Sequence, residues 1–156
     1  MSLLKKPFNH YLREVRLGIW LILIIGVIRF FLKPVFGISY EQATWVTSLT
    51  LLVLLLLVAY SIRAAVRGET YRDVLGISAA LSFTSAAFLV VAIAIDEFGG
   101  IDTFYTDMQH GGELNPFLHM GGHMLGAVIG SLFGWGLGSL VLMLTRFLTK
   151  TRAASM

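Results

Sequence analysis

The sequence contains no cysteine, which excludes disulfides, thiolate-held metal ions and a thiol nucleophile. It is also poor in charge: 13% of its 156 residues are Asp, Glu, Lys or Arg, against 56% hydrophobic. A soluble domain carries about 25% charged residues. A chain of this length buries only about two-thirds of its surface on folding, so a buried core cannot absorb the excess, and lipid must act as part of the solvent. Other absences narrow the function. There is no P-loop, no dinucleotide fingerprint, no HExxH and no internal repeat. Ser78, Ser82, Ser85, Ser131 and Ser139 lack a His–Asp pattern nearby, so a serine triad is unsupported. The net charge is +3, yet the basic residues flank apolar runs. They read as topology signals and contacts to anionic lipid, and no nucleic-acid module accompanies them.

What is present is four apolar segments in a single membrane domain, 1–156: residues 17–32, 43–62, 74–95 and 117–144, with a loop at 96–116. A spanning helix needs roughly 20 residues. The pattern predicts an all-α integral membrane protein with four transmembrane helices. The first run follows Lys5, Lys6, Arg13 and Arg16 and lacks a small-x-small cleavage site, so it reads as an uncleaved signal anchor. It is short and needs Arg29 and Lys33 to snorkel outward. Pro34 and Gly37 are expected to end it, and Tyr60 suits the membrane interface at the end of the second helix. Arg72 and Asp73 read as boundary charges. The fourth segment is long, about 42 Å at a rise of about 1.5 Å per residue.

Lys and Arg set the orientation. The N-terminal stretch, the loop holding Arg63, Arg67 and Arg72, and the tail with Arg146, Lys150 and Arg152 are basic, whereas 96–116 has neither Lys nor Arg. Positive-inside then places both termini in the cytoplasm, as four spans require. The expected location is a bacterial inner membrane with the acidic loop outside.

On the fourth segment Gly122, Gly126, Gly130, Gly134 and Gly138 recur every four residues. That spacing holds them on one stripe, and small residues let helices approach closely in lipid. Ser78, Ser82 and Ala86 offer a small face on the third helix. Helices three and four are therefore expected to pack closely, or the stripe to serve as a glycine zipper in an oligomer or against another subunit.

The candidate chemistry lies outside. Asn115-Pro116 starts a helix, Asn as cap and Pro at its first position, so His119 and His123 fall one turn apart on one face, a common spacing for two imidazoles on a metal ion. His110, Glu113 and Asp107 from the loop, and Glu97 at the end of the third helix, are further candidate ligands. Such a set suits one transition metal ion, zinc, iron or manganese, with copper favoured if Met120 and Met124 take part. Haem fits less well, since two histidines four apart on one helix cannot be its two axial ligands. Arg29 and Lys33 face the same compartment and could hold an anion or salt-bridge to the acidic loop.

Three functions follow. The first is a non-catalytic subunit or assembly partner, in a larger membrane complex or a homo-oligomer in the bilayer. The second is a metal-binding membrane protein, redox-active or hydrolytic. The third is an oligomeric transporter or channel. Histidine-rich membrane enzymes use more histidines on more helices, so an independent enzyme is the weaker expectation.

Overall fold

The computed structural model describes residues 3–44, 48–105 and 115–154. Six helices follow in order: α1 (Phe8–Glu14), α2 (Arg16–Phe36), α3 (Tyr40–Thr44), α4 (Leu49–Val66), α5 (Tyr71–Gly99) and α6 (Pro116–Ala154). Four of them, α2, α4, α5 and α6, are long and apolar enough to cross a membrane. They make the chain an integral membrane protein, and the described residues include no strand.

Local sequence explains the helix ends. Helix α2 runs through Pro34 and stops at Gly37, whose φ of 64° is the left-handed conformation that glycine takes without strain. Pro34 sits in the last turn, where its missing N–H costs the one bond to the Phe30 carbonyl and the helix ends soon after. Helix α4 begins later than the apolar run suggests, because Ser48 caps it: its side chain accepts from the Leu51 N–H at 3.3 Å. Gly68 (φ 71°) and Gly100 (φ 65°) make the turns after α4 and α5.

Helix α5 is the centre of the bundle. It meets α1, α2, α4 and α6, most extensively α6. The main core joins Ile22 of α2, Leu57 of α4, Ile77 and Leu81 of α5 and Leu142 of α6, with Tyr11 and Val15 from the N-terminal segment. A second cluster, Phe30, Ala92, Ile93 and Tyr105, fills the opposite end. Tyr60 faces the core: it is 7% exposed, and its hydroxyl accepts from the Gly18 N–H at 3.1 Å. This bond satisfies one of the donors that the first turn of α2 leaves open.

Much apolar surface stays outward. Val66, Phe117 and Phe133 are 70% exposed or more. In water such a surface would drive association; here it is what acyl chains would cover.

The two ends of the bundle differ. At one end α1 lies on the start of α5. Asp73, fully buried, accepts from the Tyr11 hydroxyl at 3.1 Å and from the Thr70 N–H and Thr70 Oγ1, each at 2.8 Å. Lys5 and Lys6 stand 3.8 and 3.7 Å from the same carboxylate. Asp73 is thus the anchor of the N-terminal segment, beyond a boundary charge. Arg146 of α6 donates to the Glu69 carbonyl, so both terminal segments reach this end. At the other end Phe98 and Phe117 tie the last turn of α5 to the first turn of α6, ring centroids 6.5 Å apart.

Candidate functional site

The opposite end carries the histidines. Asn115 starts α6: its side chain accepts from the Phe117 N–H at 3.0 Å and its carbonyl from the His119 N–H at 2.9 Å. With the helix fixed there, His119 and His123 stack one turn apart, ring centroids 5.1 Å and planes 39° apart. Their Nε2 atoms face each other at 3.3 Å. His119 is 5% exposed and His123 half-buried. Two imidazole nitrogens on one tetrahedral zinc ion, each about 2.0–2.1 Å from it, lie about 3.3–3.4 Å apart. The pair matches that bite, and the same spacing lets the rings share one proton.

The other described residues singled out from the sequence fall in different places. Glu97 lies half-buried in the last turn of α5. Among the described residues no three His, Asp or Glu side chains gather as a metal-holding group. Asp107, His110 and Glu113 lie outside the described residues. Met120 packs against the Phe30–Tyr105 cluster, while Met124 is exposed. Lys33 Nζ stands 2.5 Å from Asp102 Oδ1. Arg29 is 5% exposed, its guanidinium 5.5 Å from the Tyr40 ring centroid and 5.8 Å from that of Phe104. Snorkelling carries it under two aromatic rings and not into water, where each contact is worth about 0.5–2 kcal/mol.

Two aromatic residues beside Arg29 are held by an aspartate. Asp96, 3% exposed, accepts from the Thr103 N–H at 3.3 Å and from Thr103 Oγ1 at 2.5 Å. This folds the segment after α5 back on the bundle, so that Phe104 and Tyr105 are fully buried. The Tyr105 hydroxyl donates to the Gly26 carbonyl at 3.4 Å, and burial pushes its acidity well below that of an ordinary phenol.

The glycine stripe divides in two. A Cβ at Gly134 would overlap Ser78 Oγ, and one at Gly138 would come within 2.7 Å of Ser61 Oγ and Val74 Cγ1. There α6 sits tightly on α4 and α5. Among the described residues, the nearest atom at Gly130 is Ser82 Oγ at 3.7 Å, and at Gly122 and Gly126 nothing lies within 4 Å. Gly121 and Gly136, off the stripe, are open too. Helices α4 and α6 therefore part toward the histidine end, leaving a groove of about 350 Å³ over α5. Gly122, Gly126 and Gly130 line one wall, Val53 and Leu54 the other, Ser82 and Ser85 the floor; His123 stands at its rim.

No protein family, curated protein or solved structure matches this chain.

Proposed function

We propose that the protein is a non-catalytic subunit or assembly partner, which docks through the open half of α6 on a second copy of itself or on a larger membrane subunit. One observation supports this reading: Gly122 and Gly126 border a groove that none of the described residues fills. A glycine inside a helix costs about 1 kcal/mol relative to alanine. Gly134 and Gly138 offset that cost through the close approach they permit, whereas Gly122 and Gly126 make no such approach among the described residues. A partner helix laid in the groove would meet the small surface that drives helix association in lipid.

The test is Gly126→Leu, alone and with Gly122→Leu, in protein purified from its own membranes. The variants keep the helical content and thermal midpoint of the wild type but lose the oligomer or the co-purifying subunit. Assembly unchanged in both variants would refute the proposal. Gly134→Leu, by contrast, disrupts the fold itself.

A second reading rests on the Nε2–Nε2 distance of 3.3 Å: His119 and His123 hold a transition metal ion, completed by His110, Glu113, Asp107 or Glu97. Elemental analysis of untagged protein should then find about one equivalent of one metal, lost in His119→Ala and His123→Ala. Metal-free wild-type protein would end this reading.

Both readings take the histidine end to be the outer face of a bacterial cytoplasmic membrane, with the two termini inside. Lys5, Lys6, Arg67 and Arg146 share the other end of the bundle, which supports that orientation under the positive-inside rule. A reporter fused at the C-terminus should be active only as a cytoplasmic enzyme.

A further inference from the structure

We propose that the basic concavity at the α1 end binds the phosphate of an anionic diacyl phospholipid. The concavity measures about 330 Å³ and lies between α1, the end of α4 and the turn before α5. Lys6, Arg13, Arg63 and Arg67 line it, with His10, against two carboxylates, Glu14 and Glu69. Four permanent cations against two acids leave an excess of two positive charges.

The two carboxylates are well covered and already engaged. Glu14 stands 3.4 Å from Arg67 Nη1 and 3.8 Å from His10 Nε2, and Glu69 stands 3.7 Å from Lys6 Nζ. Among the described residues neither Arg13 nor Arg63 has a carboxylate within ion-pair distance. They come from different helices, yet both line the one concavity. Two arginines lining one concavity, each beyond ion-pair distance of the two carboxylates there, suit phosphate, whose oxygens accept paired N–H bonds. Burial, and then the nearby Glu14, raises the Glu69 carboxyl above its ordinary value, so mild acid strengthens the positive excess further.

Its surroundings point to lipid as the source of the phosphate. Leu17 follows Arg13 by one turn, and Ile62 and Val66 flank Arg63; all three apolar side chains are exposed, Val66 by 74%. Trp20, also exposed, continues the surface along α2. A headgroup seated among the arginines would lay its acyl chains on these residues. A free phosphate would use only the charges.

The experiment uses the full chain, delipidated in detergent, with native mass spectrometry as readout. Phosphatidylglycerol, phosphatidylcholine and inorganic phosphate are titrated separately. Phosphatidylglycerol should bind preferentially, and the double variant Arg13→Gln/Arg63→Gln should weaken it about thirtyfold, at the worth of a basic residue near an anionic surface. Neither arginine pairs with an acid, so the double variant keeps the wild-type circular dichroism. Lys150→Gln, a charge change elsewhere on the chain, should leave binding as it was. Equal binding of the two lipids, or undiminished binding by the double variant, overturns the proposal. Inorganic phosphate binding as tightly as phosphatidylglycerol overturns the lipid assignment in favour of a free-anion site.

Discussion

Replacing Asp73 by alanine tests how the N-terminal segment is held. The carboxylate is fully buried and takes three hydrogen bonds, from the Thr70 N–H, Thr70 Oγ1 and the Tyr11 hydroxyl. Loss of a helix cap costs about 1 kcal/mol. The Tyr11 hydroxyl, itself buried, would lose its acceptor, which adds about 1–3 kcal/mol. Lys5 and Lys6, 3.8 and 3.7 Å away, are partly exposed and add little. The sum is about 2–4 kcal/mol, or about 5–15 °C in the thermal midpoint of a chain this size. Since α1 meets the bundle chiefly through Tyr11 and α5, part of the loss should appear as local release. Limited trypsin digestion in detergent should therefore cut Asp73→Ala after Lys5 and Arg13 well before the wild type. Asp73→Asn, which keeps the shape and one acceptor oxygen, should fall between them. If Asp73→Ala matched the wild type in both midpoint and cleavage, the carboxylate would not anchor α1 and this account would be wrong.

Two further outcomes follow from buried polar groups. Burial first, and the neighbouring acids Asp73 and Glu14 after it, push the Tyr11 phenol up to about 12. A folded value above the ordinary value of about 10 means that the stabilisation is complete below pH 10 and is lost as pH rises toward 12. Thermal midpoints between pH 9 and 12 should show that loss in the wild type and a shallower one in Tyr11→Phe; parallel curves would contradict it. At the other end, Asp96→Ala removes the acceptor that holds Thr103, at about 1–3 kcal/mol. Amide exchange at Thr103–Tyr105 should quicken there while the centre of α5 keeps its protection, and unchanged exchange would show that the turn holds without Asp96.

The spans were legible because lipid imposes a simple rule, some 20 apolar residues each, and the chain follows it four times. The His119–His123 pair was legible for a similarly local reason: Asn115-Pro116 fixes the helix start, and a spacing of four does the rest. Helix ends were less so. Ser48 delays α4 despite apolar residues before it, and α6 continues past its apolar run to Ala154. Asp73 had a signal that went unread, since Thr70-x-x-Asp73 has the spacing of a capping box. Its second role had none, because Tyr11 reaches Asp73 only where Gly76 admits the tyrosine ring: a Cβ there would come within 2.5 Å of it. The Tyr60–Gly18 bond had no signal either, as the two residues are far apart in the chain.

One regular stripe serves two ends of one helix differently, and sequence period alone could not divide it. At Gly134 and Gly138 the facing atoms, Ser78, Ser61 and Val74, are close enough that only glycine fits. Two turns nearer the histidines α4 has moved away, and the same residue type borders open space. The division follows from how each end of the bundle is closed. At the α1 end the polar cluster around Asp73 joins α1 to α5, and Arg146 adds α6 through the Glu69 carbonyl. At the histidine end the aromatic cluster joins α2 and α5 to the segment after α5 through Phe30, Phe88 and Tyr105. That arrangement draws α2 onto α5 on one side and leaves α4 and α6 apart on the other. An occupant of the groove would therefore meet a preformed gap, so docking need not separate packed helices first. Its main cost is the displacement of lipid from Gly122, Gly126 and Gly130, the positions where a partner backbone can come closest.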